Sequence, residues 1–293
     1  MQIKESLGRK VFLVINALIL IAVAIASFYP LLYTVFASFS GSSQLMAHEG
    51  VLLHPLAPNI DAYRAVFKNS FILTGYKNSI IILVVGTIVS VAATTLAAYF
   101  FSRRNVMHQK ALMKIVTFTM FFSGGMVPTY LWIKQIGLLD NLLVLILPSC
   151  LSVTNILIMR TAMYGVPDSL EESARLDGAG HYVILTKIIV PLIMPTIAVI
   201  ALYSAVGYWN AWFNASIYIS KRQLYPLQLV LREILIQNDT SKMIDDVTIA
   251  EQAQVSETIK YAVIVVSTVP ILCLYPFLQK YFVNGVMIGA VKE

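Results

Sequence analysis

Residues Gly165-Val166-Pro167-Asp168-Ser169-Leu170-Glu171-Glu172-Ser173-Ala174-Arg175-Leu176-Asp177-Gly178-Ala179-Gly180 form a polar island between two apolar stretches. Pro167 suits the opening turn of a helix, where its missing N–H would be unpaired anyway. Asp168, Glu171 and Glu172 then fall in or near the first turn, where the helix dipole favours negative charge. Ala174 keeps one face thin, and Gly178 and Gly180 end or bend the helix. The pattern predicts a helix of about two to three turns. Such an element exceeds a mere connector and has the shape of a segment that docks in another protein's groove. The competing reading is an interfacial helix resting on lipid headgroups. The acidic first turn argues against it, because inner-leaflet lipids are also negative.

The rest of the chain is short of charge. It has 293 residues, of which 58% are hydrophobic and 12% charged, with a mean hydropathy of +0.77. A soluble domain carries roughly 25% charged residues, and a chain this apolar cannot cover itself with so few. The composition excludes a conventional soluble enzyme, a disordered chain and a free nucleic-acid binder. It points to a protein whose solvent is lipid. The net charge of +6 fits, because membrane proteins carry Lys and Arg in cytoplasmic loops.

Six apolar stretches reach membrane length, at about 11–36, 77–101, 112–131, 141–160, 190–213 and 260–280. Each is expected to be a helix, since lipid offers no partner for backbone polar groups. The first is too long for a signal peptide and has no small-residue cleavage site, so it reads as a retained helix. The chain therefore reads as an all-α, polytopic, single transmembrane domain, 1–293, with a cytoplasmic loop at 160–189.

With the N-terminus in the cytoplasm, the cytoplasmic pieces 1–10, 102–114, 160–189 and the tail from 280 hold 12 Lys/Arg and 6 Asp/Glu. The other side holds 9 of each. The whole positive excess lies on one side, which predicts that both termini are cytoplasmic. Arg103 and Arg104 are the sharpest local stop signal. Outside, 37–76 has a briefly helical stretch at Asp61–Lys68, and 214–259 has an amphipathic stretch near 226–237. Asn238, Asp239, Asp245 and Asp246 mark turns there. Pro30, Gly86, Gly124, Gly125, Pro128, Pro148, Pro195 and Pro270 punctuate the spans, either as kinks that fit a bundle or as joints used in gating.

Cys150 and Cys273 sit apart in apolar runs and read as buried thiols. His48, His54, His108 and His181 have no metal-ligand spacing, so no metal site is expected. No GxxxxGK[ST] loop is present, so energy from ATP must come from a partner.

The polar island also resembles the signature of membrane subunits of binding-protein-dependent ABC importers. That signature reads Glu-Ala-Ala, three residues, Gly, nine residues, Ile, one residue, Leu-Pro. Here it is Glu172-Ser173-Ala174, Gly178, Ile188 and Val190-Pro191, with Ser for Ala and Val for Leu. Ala97-Ala98-Tyr99 with Phe101 and Arg103, Met126-Val127-Pro128, Tyr208-Trp209-Asn210 and the ending Tyr275–Lys292 are similar to the sugar-importer branch, its MalG-like half, and within that the LplC-like and alginate-importer permease group.

The resemblance implies a six-helix type I (MetI-like) permease fold in the bacterial cytoplasmic (inner) membrane, with a cytoplasmic coupling helix. It implies a heterodimeric core with a second, MalF-like permease subunit, two ATP-binding subunits and a periplasmic or extracellular solute-binding protein. ATP and Mg would bind on those partners, with no cofactor on this chain. Asp168, Glu171, Glu172, Ser173, Ala174, Arg175 and Gly178 would couple to the ATPase, Ala174 and Gly178 through close packing. Within the group, alginate or another uronate-containing oligosaccharide is the preferred substrate.

Sugar passage needs hydrogen-bonding groups and aromatic faces. Asn78, Tyr99, Thr129, Tyr130, Asn155, Tyr203, Tyr208, Trp209, Asn210, Trp212 and Asn214 are the candidates, against the reading that Tyr and Trp simply gather at membrane interfaces. Lys77, Lys221 and Arg222, at the outer edge, are in reach to attract carboxylates, against the reading that they are ordinary solvated charges. The alternatives are a membrane enzyme, a secondary transporter and a non-transporting scaffold. The first needs convergent acidic groups and the second ion-coupling residues within the spans; neither is visible.

Overall fold

The computed structural model describes residues 7–103, 106–237 and 257–273, and all regular structure among them is helical. Arg104, the turn residues Asn238, Asp239, Asp245 and Asp246, and the motif at 275–292 lie outside the described residues. The chain divides into two compact units, Met1–Asn69 with Glu233–Thr268 and Ser70–Arg232 with Val269–Glu293.

In the first unit, α1 covers Leu7–Ser38 without a break at Pro30. It has no charge after Lys10 and buries none of its most apolar 18-residue window, as suits a helix facing lipid or another subunit. The short helices α2 (Ser42–Ala47) and α3 (Asp61–Lys68) follow, the latter where the sequence predicts it. Ala37, Leu45 and Leu52 form a small core with Tyr33, Leu56 and Tyr261. The Leu52 amide donates to the Tyr29 hydroxyl at 3.0 Å, and Ser42 and Thr258 share a 2.9 Å hydroxyl bond.

The second unit is built on α4, Ser70–Ser102, about 50 Å long at 1.5 Å per residue. One face of α4 is a stripe of buried small residues, among them Gly75, Ser79, Gly86, Ser90, Thr94 and Ala98. Spacings of four and seven put them in line, so neighbouring backbones can approach closely. That stripe packs chiefly against α12 (Met194–Trp209) and α8 (Val153–Tyr164).

Between these long elements the expected helices are broken. Stretch 112–131 holds the end of α5 (Gln109–Phe118) and the start of α6 (Met126–Gln135), not one helix. The break runs to Gly125, which sits at φ +84°, and Pro128 falls in the first turn of α6. Stretch 141–160 likewise holds α7 (Leu143–Ile146) and most of α8, with Pro148 in the gap. The fifth stretch starts earlier than predicted. α9 (Asp168–Leu176) is followed by α10 (His181–Val183), a π-helical turn (Ile184–Ile189) and α11 (Val190–Leu192). That segment bends by 85° at Ile193 into α12. Pro195 sits in the first turn after the bend, where no backbone bond is lost, whereas Pro191 follows the π-helical turn with no break before it. Next come α13 (Trp212–Tyr218), a 3₁₀ turn (Arg222–Leu224) and α14 (Leu227–Gln237). A last helix, α15, covers 257–273 and runs through Pro270 uninterrupted. Among the described residues, α1 and α4 are each long and apolar enough to cross a membrane, and the pair bent at Ile193 passes the same test when its two parts are taken together, as a broken span or a re-entrant loop.

The start of α4 carries the 219–227 loop. Asn78 donates to the carbonyls of Gln223 (2.8 Å) and Tyr225 (3.0 Å), and the Leu227 amide donates to Ser79 Oγ at 2.8 Å. Asp140, in the α6–α7 loop at φ +55°, ties in from the other side. Its Oδ1 accepts the backbone N–H groups of Ser220 (2.6 Å) and Lys221 (3.0 Å). These bonds favour the carboxylate and hold its pKa below the ordinary 3.8. A depressed pKa stabilises the fold fully above the ordinary value, and the contribution fades as pH falls through the folded value. Asp140→Ala is therefore expected to lower the melting temperature at pH 7. The gap between variant and wild type should close as the solution is acidified below pH 3.8. A gap unchanged with pH would contradict this role.

Candidate functional site

Two sites flank α4, one at its middle and one at its end. The first is a cavity of about 640 Å³ between α4, α8, α12, α13 and the break before α8. Its polar lining comes from Ser90, Ser149, Ser152, Asn155, Ser204 and Asn214, with aromatic faces from Tyr203, Tyr208 and Phe213. No lining side chain is charged. Ser90 knits the wall together: it donates to the Cys150 carbonyl at 2.7 Å and lies 3.2 Å from Ser204 Oγ. The cavity exists because helix breaks fall here. The gap around Pro148 turns a strip of backbone and the Ser149 and Ser152 side chains toward it, which is tolerated in a membrane only where backbone is buried or lines a cavity.

Of the residues expected along the sugar path, Asn155, Tyr203, Tyr208, Asn210 and Asn214 line this cavity. The others do structural work. Asn78 pins the 223–225 loop, as above. Tyr130 stacks on Tyr218 with ring centroids 6.2 Å apart. Trp209 is buried beside Tyr76. Trp212 packs on the core and carries Arg232 at 3.7 Å over its ring. Thr129 returns its hydroxyl to the Gly125 carbonyl, and Tyr99 lies at the far end of α4. The four serines were missed, because a lone serine in an apolar run gives no signal beyond small size.

The second site is α9 and its seat at the end of α4. Residues 168–176 form the helix, with Asp168 and Glu171 in its first turn. Pro167 is the N-cap residue and not the first helical one. The C-terminus closes as a Schellman motif. The Ala179 amide donates to the Ala174 carbonyl at 2.9 Å and the Gly178 amide to Arg175 at 3.0 Å, with Gly178 at φ +82°. A Cβ on Gly178 would meet no atom of this chain within 4 Å, so the glycine serves backbone geometry here. Ala174 and Ala179 rest on a core of Ala98, Met159, Met163, Ile184, Leu185 and Ile189.

No residue of α9 is fully buried. Glu172 and Ser173 face out, and so do three apolar residues not named individually among the coupling residues: Leu170 and Leu176 (90% exposed) within the 168–180 stretch expected to dock, and Tyr182 (77%) just beyond it. The signal for them was present, since each is apolar in an otherwise polar loop. Glu171 departs from expectation. Its carboxylate turns inward to Arg103, the residue read as a stop signal, and accepts from Arg175 Nη2 at 2.7 Å. Between α9 and the α4 end lies a groove of about 400 Å³, whose lining includes Arg103, Tyr164, Glu171 and His181. The α4 end is itself fixed. The Phe101 carbonyl accepts from Arg160 Nε (2.8 Å) and from Gln109, donors suited to a helix C-terminus.

Residues 4–288 match the family described as binding-protein-dependent transport system inner membrane component. The chain is 40% identical over 278 residues to the polygalacturonan/rhamnogalacturonan transport system permease protein YtcP of Bacillus subtilis, covering 93% of this chain and 95% of YtcP. It is 41% identical over 283 residues to Protein LplC of the same organism, covering 97% and 95%. Among solved structures, a chain of a bacterial ABC transporter that imports the acidic polysaccharide alginate superposes with a TM-score of 0.88 at 29% identity, covering 96% of this chain and all of that one. A bacterial alginate ABC transporter in complex with an alginate pentasaccharide-bound periplasmic protein matches at a TM-score of 0.60 and 17% identity, over 92% and 93%, a likeness of fold. The chain belongs to the family of binding-protein-dependent transport system inner membrane components, as a permease subunit that itself carries out no covalent chemistry.

Proposed function

We propose that this chain is one half of the membrane pore of an ATP-driven importer of uronate-containing oligosaccharides, with alginate and polygalacturonan fragments as the substrate class. The observation that carries this reading is the uncharged cavity of about 640 Å³, lined by hydroxyls, amides and rings. Hydroxyls and amides hydrogen-bond both sugar hydroxyls and carboxylates, and aromatic faces suit the apolar faces of sugar rings. The absence of cations from the lining fits transit: a polyanion must enter and also leave, so its binding has to stay moderate. The named substrates of YtcP and of the alginate importer, both polyuronates, support the same class.

In this reading α9 is the coupling helix. It and both termini face the cytoplasm, while the Asp140 loop and the 219–227 loop face outward. Leu170, Leu176, Tyr182 and Glu172 form the surface that enters a cleft on one of two ATP-binding subunits, which hold ATP and Mg. A second, MalF-like permease completes the pore, and an external solute-binding protein delivers the glycan.

Reconstitution of the whole complex in liposomes tests this. The binding protein loaded with an oligoalginate or oligogalacturonate is expected to stimulate ATP hydrolysis and drive uptake of the labelled glycan. A neutral maltodextrin of equal length should do neither. ATP-independent uptake by this chain alone, or stimulation by the neutral glycan only, would overturn the reading.

A further inference from the structure

We infer that Arg103 and Glu171 form a latch that makes the coupling helix α9 and the cytoplasmic end of α4 move as one body. This rests on the importer reading above. Arg103 is held against the end of α4 by two residues. Its guanidinium lies 4.5 Å over the Tyr99 ring, and its Nε and Nη2 donate to Ser102 Oγ at 3.2 and 3.1 Å. The remaining donor, Nη1, is spent on Glu171 Oε2. Tyr99 in turn meets His181 Nδ1 through its hydroxyl at 3.0 Å, which ties α10 to the same cluster.

The pair is unlike a surface ion pair. The Arg103 and Glu171 side chains are only 14% and 18% exposed, whereas the accompanying Arg175 is 45% exposed. A charge pair this sheltered is little screened, and removing one member strands the other. The rest of the α9 seat is thin, since α9 buries no residue completely and meets the core beneath it through Ala174. Ala174 can slide on an apolar surface, but a charged bond between two held groups resists both sliding and lifting.

The target of the latch is the cavity. Ser90 lies on α4, thirteen positions before Arg103 and so roughly 20 Å along the helix. A tilt imposed on α9 by the ATPase then reaches the Ser90–Ser204 contact through a single rigid helix. Glu171 is a positioning residue in this scheme. The charge left outward for the ATPase is Glu172, one position on, which points to solvent.

The test uses the complete complex in liposomes, with Arg103→Glu, Glu171→Arg and the double exchange R103E/E171R. ATP hydrolysis and glycan uptake are measured on the same vesicles. Each single variant is expected to keep basal hydrolysis, while its stimulation by the loaded binding protein weakens and uptake per ATP falls on the order of tenfold. The double variant should recover most of it. Amide exchange of 168–176 in the purified complex should be faster in each single variant and slow again in the double. In case the reversals assemble poorly, Arg103→Cys/Glu171→Cys in a Cys150→Ala/Cys273→Ala background offers a second route. A short bifunctional thiol reagent should restore coupling to the otherwise uncoupled protein. Wild-type coupling in the single variants, or no rescue by both the exchange and the cross-link, would overturn the latch. A wild-type complex without ATP-driven uptake would instead overturn the importer reading, and the exchange data would still decide whether the pair holds α9.

Discussion

Gly178→Glu is expected to abolish ATP-driven uptake and to strip the ATP-binding subunit from the purified complex, while Gly178→Asn keeps a substantial part of both. The residue sits at φ +82°. An L side chain in the left-handed region costs about 1–2 kcal/mol, and only Asn and Asp tolerate it with ease. Two backbone bonds depend on that conformation, Ala179 to Ala174 and Gly178 to Arg175. If Glu forces φ negative, both open and the last turn of α9 frays. Nine residues with no buried side chain have little else to hold the helix together. The space around Gly178 is open within this chain, so Glu meets no clash until α9 enters its partner. There the long charged side chain adds a second obstacle. Asn meets the backbone demand and is short, so its partial activity separates the two causes. Pull-down of the ATPase subunit and uptake in vesicles read the result. Normal assembly and uptake in Gly178→Glu would remove α9 from the docking surface.

Helix α9 was the most legible part of the sequence, and the reason is local. Acidic residues, a proline and a glycine at fixed offsets each act on the backbone within one turn, so α9 begins and ends where those residues say. Helices α1 and α4 were legible for a different reason: long runs without charge have few ways to exist in lipid. The third and fourth stretches read as punctuated spans, and the structure breaks each into two helices. Hydropathy reports composition and is blind to whether a backbone bond is interrupted, and the punctuation at Gly125 and Pro148 had an ambiguous meaning. At Pro270 the same punctuation interrupts nothing.

The site residues follow the same division. Glu171 was correctly placed on the first turn of α9, but its partner stands 68 positions earlier in the chain, and no local rule connects them. Aromatic candidates divided unevenly, because a ring is selected both by a sugar and by a core. Tyr203 lines the cavity at 49% exposure, whereas Trp209 is sealed in the interior at 3%. Asp140 gives no signal in the sequence. Its importance comes from the N–H groups of Ser220 and Lys221, which only the fold brings to it.

The reading of Gly86 as a joint gives way to packing, and that yields the second large expected effect. Gly86 lies inside the unbroken α4 and faces α12. A Cβ there would stand 2.8 Å from Cε2 and Cζ of Tyr208 and 2.9 Å from its Cδ2. The ring cannot swing away easily. Tyr208 is buried and its hydroxyl donates to the Ile146 carbonyl at 3.3 Å. Gly86→Ala must therefore push α4 and α12 apart or force the ring off its rotamer, at a cost of about 1–3 kcal/mol. Gly86→Val adds two further methyl groups to the same collision. Tyr208 also lines the cavity together with Ser90 and Ser204, so spreading the helices opens the contact between those serines. Purified Gly86→Ala is expected to melt on the order of 5 °C below wild type, and Gly86→Val lower still with uptake lost. Truncating the ring removes the obstacle, so Gly86→Ala should cost far less in a Tyr208→Leu background than in the wild type. This is the coupling expected of two residues in direct contact. Equal costs of Gly86→Ala in the two backgrounds would mean that α4 and α12 do not meet through this glycine.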